Sequence, residues 1–263
     1  MKVPILSLTN NEIGKKELPQ QFNEPVRFDL IGRAVLAIQA NKRQPYGAKF
    51  EAGQRAVGKL SRRRRDYKGS YGIGISRVPR KIMSGKGSRW NWVGAVAPGT
   101  VGGRRAHPPK PSKDWTKKVN KKENRKAIRS ALAAVMSKEF VKHVPENYPF
   151  IIETKFESLK KTKDVIEALI KLGFSNELER AEERTIRAGK GKMRGRKYRT
   201  KKSVLFVVSK KCELMSAANN ILGSDIAEVR NINAELLAPG IRPRIVLFTE
   251  AAIDEFDKNK LFM

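Results

Sequence analysis

"SVLFVVS", residues 203–209, sets five apolar residues between two serines. The run is strand-sized, rich in β-branched and aromatic side chains, and far too short to cross a bilayer. It is the strongest strand signal in the chain, and similar segments lie on either side of it. "RIVLFTE" (244–250) follows, with a short strand near "AEVRNI" (227–232) between the two. "PFIIE" (149–153) and "KVPILSL" (2–8) precede it, the latter with "EIGKKELP" (12–19) as a hairpin partner. Helical patterns alternate with these runs: near 163–172 with a stop at Gly173, near 175–186, around 213–221 and at 250–259. Strands alternating with helices predict an α/β fold, a mainly parallel sheet with helices on both faces.

Two further helices are predicted from periodicity and capping. "RFDLIGRAVLAIQANKR" (27–43) has Asp29 as an N-cap and apolar positions at Leu30, Ala34, Ala37 and Ile38. "VNKKENRKAIRSALAAVMSKEFVKHV" (119–144) begins with Asn120 and has Glu123 three residues on, a capping-box pattern, and Ile128, Leu132, Val135 and Met136 form its apolar stripe. Its first turns carry Lys121, Lys122, Arg125, Lys126 and Arg129. Cations there oppose the helix dipole, so an external anion is the expected reason for them.

The net charge is +30, and it is unevenly spread. Residues 1–40 sum to +1 and residues 131–263 to +7, whereas residues 41–130 hold 26 basic and 4 acidic side chains. Between Asp66 and Asp114 there is no carboxylate. From about Lys42 to Lys118 the apolar residues follow neither a helical nor an alternating period, and glycine and proline recur. One globular α/β domain over 1–263 is therefore expected to be interrupted by a long basic loop, residues 43–118. Low hydrophobicity and high charge predict disorder for that loop in isolation, and order once phosphates neutralise it.

Within the loop, "SRRRRDYKGSYG" (61–72) groups Arg62, Arg63, Arg64, Arg65 and Lys68 with Tyr67 and Tyr71. Arginine forks bind phosphate bidentately and stack on bases, which suits structured RNA. Arg77, Arg80, Lys81, Lys86, Arg89, Arg104 and Arg105 extend the basic series, and Trp90 and Trp92 are expected to stack on a base or pack against another protein. A second acid-free run, residues 184–202, holds ten cations, among them Lys190, Lys192, Arg194, Arg196, Lys197 and Arg199, and is expected to form a second RNA-facing loop. Binding of this kind should weaken steeply with salt.

Catalytic and cofactor motifs are poorly matched. "GQRAVGK" (53–59) has phosphate-loop spacing but continues with Leu60 where a magnesium-binding Ser or Thr belongs, and no strand precedes it. "GKGKMRG" (189–195) has the wrong spacing for a dinucleotide fingerprint. One cysteine, Cys212, excludes an internal disulfide, and with only His107 and His143 beside it a Cys/His zinc site lacks ligands. His107, in "AHPP", reads as a packing residue, and no histidine has a recognisable nucleophile partner. No cofactor, metal or enzymatic activity is expected. The N-terminus "MKVPILSLTNNEIGKKELP" lacks the apolar core of a signal peptide, so a soluble, cytoplasmic protein is expected.

The chain closely resembles the family of large-subunit ribosomal protein four, in the form shared by archaea and eukaryotes. The resemblance rests on "RFDLIGRAVLAIQANKRQPYG" (27–47), "GGRRAHPP" (102–109), "VNKKENRKAIRSALAA" (119–134), "AGKGKMRGRKYR" (188–199), "NAELLAPG" (233–240) and "VLFTEAAI" (246–253). The long eukaryotic C-terminal extension is absent, so the archaeal type is expected. The resemblance implies an α/β body on the outside of the large subunit and a long loop threading into ribosomal RNA. It also implies early binding in assembly, contact with several RNA domains, and a loop tip meeting ribosomal protein twenty-two where the nascent-peptide tunnel narrows. A loop of ~70 residues can reach at most ~110–120 Å per limb, with Arg77, Arg80 and Lys81 near its midpoint. "KIMSGKGSRWNWVGAVAPGTV" (81–101) matches the family least and is longer than usual.

Three rivals compete with this reading. A free RNA-binding or RNA-chaperone protein would share the charge pattern. An α/β enzyme with a recruiting loop would need a catalytic constellation that the sequence lacks. A chromatin-type DNA binder fits the charge, but one internal loop on an α/β body suits folded RNA better than a uniform duplex.

Overall fold

The computed structural model describes residues 1–55, 64–66, 69–86 and 89–263. In chain order the elements begin with β1 (Lys2–Leu6), β2 (Glu12–Glu17), α1 (Phe28–Asn41), β3 (Arg80–Lys86), β4 (Arg89–Gly94) and α2 (Lys121–Val135). Next come β5 (Ile151–Ile152), α3 (Thr162–Lys171), α4 (Ser175–Glu182), β6 (Thr185–Ile186), β7 (Tyr198–Arg199) and β8 (Leu205–Val208). The last are α5 (Leu214–Ala218), β9 (Asp225–Glu228), α6 (Ala234–Leu237), β10 (Val246–Thr249) and α7 (Glu250–Lys258). The chain divides into two compact units, Met1–Lys42 with Thr116–Met263, and Arg43–Trp115.

The first unit is built on a six-stranded sheet in the order β2-β1-β5-β10-β8-β9. β1 and β2 pair antiparallel, and the other neighbours pair parallel. Leu205 and Val207 enter one apolar cluster, Phe206 and Val208 the other. That is why "VLFVV" has no polar position: successive side chains point to opposite faces, and helices cover both. Ile31 and Val35 of α1, Leu132 of α2, Leu237 of α6 and Phe256 of α7 fill the first face. Val165 and Leu169 of α3 and Leu214 of α5 fill the second. Phe22, Phe248 and Phe256 meet edge to face, with centroids 5.5–6.2 Å apart.

Polar ties fasten the strand ends. Past β5, the Glu157 carboxylate accepts from the Ser209 amide at 3.0 Å, the Ser209 hydroxyl at 2.9 Å and the Thr249 hydroxyl at 2.5 Å. It therefore joins the carboxyl ends of β8 and β10, where many α/β proteins open a ligand crevice. Near the other ends of these strands the buried Arg244 guanidinium donates to the carbonyls of Ser203, Val204 and Gly223 and pairs with Asp225 of β9.

Several expectations are corrected. The helix expected over 119–144 stops at Val135: Val141 packs in the second apolar cluster, whereas the α2 stripe fills the first, and Phe140 turns back to meet Phe28 edge to face, 5.3 Å away. The helix expected to 186 ends at Glu182, and Thr185–Ile186 pairs instead with Tyr198–Arg199. The strand expected at 227–232 lies at 225–228 and passes into a 3-10 turn. The helix expected around 213–221 is confined to Leu214–Ala218. Asp29 is not the N-cap of α1; it sits in the first turn and pairs with Arg27 at 2.7 Å. Nor does the capping box of α2 form, since Asn120 makes no side-chain cap bond and Glu123 is drawn to Arg33 of α1, 2.7 Å away.

The second unit contains a regular element that the sequence pattern did not predict. β3 and β4 form an antiparallel hairpin, with Ile82 opposite Trp92 and Lys86 opposite Arg89. The register slips between Ile82 and Ser84, and such an irregularity erases the alternation by which a strand is recognised. Nearer the first unit's residue boundaries, the two limbs of the loop run side by side. The Ala48 amide donates to the Pro109 carbonyl at 3.0 Å. A Cβ on Gly47 would stand 2.3 Å from Pro111, and one on Gly53, which has φ +78°, would stand 2.5 Å from the Gly103 carbonyl oxygen. Glycine is required at both close approaches.

Candidate nucleic-acid interface

Three groups of cations make up the candidate interface, and they differ in how far the protein itself engages them. On the β6–β7 hairpin, Lys190, Lys192, Arg194, Arg196, Lys197 and Arg199 are all exposed, and none forms an ion pair with a described carboxylate. A 3-10 turn (Lys190–Arg194) and a left-handed Gly195 (φ +78°) fold the hairpin tip. Arg187 braces it, donating through Nε to the Arg196 carbonyl at 3.1 Å. Tyr198, Ile186 and Met193 are exposed beside these cations, so the surface offers stacking area as well as charge.

On α2 the five expected anion ligands separate. Lys121 and Lys122 are exposed in the first turn. Arg129 Nε donates to Glu24 at 2.9 Å, with Lys126 3.6 Å from the same carboxylate. Arg125 and Arg129 also donate to the carbonyls of Met263 and Phe262. Burial alone would raise the Glu24 carboxyl; the hydrogen bond and charge of Arg129, with Lys126 behind it, outweigh this and hold it below the usual carboxylate range. These cations hold the α2 surface to the chain segments around it as well as facing solvent.

In the second unit, Arg62, Arg63, Tyr67 and Lys68 lie outside the described residues. Arg64 and Arg65 are exposed in a turn. Arg77 lies over the Tyr71 ring, 4.2 Å from its centroid, which leaves the guanidinium edge available to an anion. Arg80 is differently placed. It donates to the Trp92 carbonyl at 2.9 Å, the Ser76 carbonyl at 3.1 Å and the Ser76 hydroxyl at 2.7 Å, so its fork braces the base of the hairpin. Lys81 stands opposite Val93, and Gly85 opposite Trp90. Arg104 is half-buried where the limbs meet, its amide bonded to the Val96 carbonyl, and Arg105 is exposed.

An aromatic cluster in this unit has no signal in the sequence pattern. Tyr46 and Trp115 stack with centroids 5.9 Å apart and planes 16° from parallel. Arg43 lies 3.8 Å above the Trp115 ring, and Lys113 lies 4.3 Å from it. The two rings are 69 residues apart, and neither stands in an apolar run that would have marked it. Among the described residues, no group of three His, Cys, Asp or Glu side chains converges as a metal site would require, and no helix is long and apolar enough to cross a membrane.

Known proteins resemble this chain over its whole length. The model for the ribosomal protein L4/L1 family matches residues 16–259. The large ribosomal subunit protein uL4 of Nanoarchaeum equitans is 48% identical over 267 residues, covering 100% of both chains. That of Halobacterium salinarum is 43% identical across 97% of this chain and 98% of its own. The Archaeoglobus fulgidus protein of the same name is 43% identical across 97% of each.

Proposed function

Since the chain belongs to the ribosomal protein L4/L1 family, we propose that it is a structural, non-catalytic constituent of the large ribosomal subunit, bound there to ribosomal RNA. The observation that carries this reading is a likeness that covers 97–100% of this chain, basic loop included, in relatives named as large-subunit proteins. The physical mechanism is phosphate neutralisation: exposed cations with no partner among the described carboxylates, such as those of the β6–β7 hairpin, displace the counterions condensed on RNA as they meet its phosphates.

In this reading residues 43–118 are an insertion of the α/β domain that penetrates the rRNA, and residues 184–202 are a second basic loop against it. Their separation along the chain fits a protein that binds early in assembly and bridges several rRNA domains. The far end of the long loop forms part of the polypeptide exit tunnel wall, beside ribosomal protein twenty-two at the constriction and within reach of the nascent polypeptide. The protein is then cytoplasmic because the ribosome is. Sucrose-gradient fractionation tests the proposal. The chain should co-sediment with large subunits after a moderate salt wash. Recovery only at the top of the gradient would instead assign it to the free RNA-binding or RNA-chaperone class.

A further inference from the structure

Beside the Tyr46–Trp115 stack lies an open groove of about 510 Å3, lined by Tyr46, Arg105, His107, Pro108, Lys110 and Trp115 among others. We propose that this groove receives a single unstacked nucleotide of an RNA strand, its base against the aromatic wall and its phosphate among the cations. The inference rests on the RNA-binding reading above and deepens it by naming a site.

Three observations point to that ligand. Tyr46 is half exposed although it stacks on Trp115, so the aromatic wall still presents ring surface. Arg105, Lys110 and Lys113 line the groove and no carboxylate does, which favours an anion over a cation or a zwitterion. The walls are set in advance: the Ala48–Pro109 backbone bond and the close approach of Gly47 to Pro111 fix the two limbs, and Pro108 and Pro109 stiffen one side. Aromatic surface beside phosphate-binding cations is how proteins hold bases of single strands, whereas a duplex keeps its bases stacked and out of reach.

The test uses the full chain carrying Trp90→Phe and Trp92→Phe, which leaves Trp115 as the sole tryptophan reporter. It is titrated with a twelve-nucleotide oligouridylate, with an RNA duplex of equal phosphate number, and with polyglutamate of equal charge. The oligouridylate should quench Trp115 emission at least twofold, and the duplex should bind with little quenching. Tyr46→Ala should weaken oligouridylate binding about tenfold, while Tyr46→Phe, which keeps the ring, stays within twofold of the parent. Equal quenching by the duplex, or equal losses in both Tyr46 variants, would overturn the inference while leaving RNA binding intact. Quenching by polyglutamate as strong as by RNA would assign the groove to an acidic peptide and overturn it also. If neither RNA binds at all, the RNA-binding reading falls, and the nucleotide site with it.

Discussion

Arg129 Nε lies 2.9 Å from the Glu24 carboxylate, joining two residues 105 positions apart in the chain. The pair ties α2 to the segment that leads into α1. It turns one of the cations read as an anion ligand into a strut, and its partner carboxyl should make the fold sensitive to acid.

Glu24→Gln should lower stability at neutral pH by about 1.5–3 kcal/mol, the range for hydrogen bonds to charged groups. Because the folded carboxyl is held below its unfolded value, the pair's contribution is complete above the unfolded pKa of about 4.3. It is lost as pH falls through the lower folded value. Urea titrations of both proteins should therefore differ at pH 7 and converge in acid. A constant difference across pH would refute the linkage.

A larger cost is expected at Asp225. Arg244 is only 7% exposed, and burial pulls its guanidinium pKa down while Asp225 opposes the shift. Asp225→Ala leaves that charge without its carboxylate and should cost about 3–5 kcal/mol. The double variant with Arg244→Met should recover part of the loss, because the unpaired charge is gone. Denaturant midpoints of the two single variants and the double variant decide the matter; strict additivity would show that the two residues do not act as a pair.

Phe248→Ala should lower stability by about 3–5 kcal/mol, since the ring is fully buried against Phe22 and Phe256 on a central strand. Thermal melting followed by far-UV circular dichroism checks this. A shift no larger than that of an exposed-site control would mean that the Phe22–Phe256 pair closes over the gap.

The hairpin cations should behave in the opposite way. Replacing Lys190, Lys192, Arg194 and Arg196 with glutamine should leave the melting temperature unchanged, as their side chains are exposed and unpaired with described carboxylates. The salt dependence of RNA binding should become shallower by ~0.7–0.9 in log–log slope for each phosphate that is no longer neutralised. Filter-binding at several salt concentrations measures it. An unchanged slope would remove this hairpin from the interface.

In the long loop, Arg77 and Arg80 should separate functionally. Arg80→Lys cannot reproduce the three-acceptor fork onto Ser76 and Trp92, so it should loosen the β3–β4 hairpin, whereas Arg77→Lys keeps a cation over Tyr71. Amide exchange across Arg80–Gly94 in the free protein should rise for the first variant alone. Equal exchange in both would show that Arg80 is not the brace.

Much of this protein was legible in local pattern. The strand at 205–208, the sheet's mainly parallel character and the concentration of charge in 41–130 follow from neighbours along the chain, because side-chain period and charge density are local quantities. The β3–β4 hairpin was not legible, since its register slip breaks the period. Nor was the end of α2, since Val141 beyond it packs in the other apolar cluster. Tertiary structure alone decided the roles of individual cations. Arg80, Arg129, Arg187 and Arg244 brace the protein, while Lys190, Arg194 and Arg199 face outward, though composition makes them alike. The physical reason is that a charge is neutralised by whatever lies within a few ångströms in space, and only folding brings Glu24 to Arg129 or sets Tyr46 against Trp115.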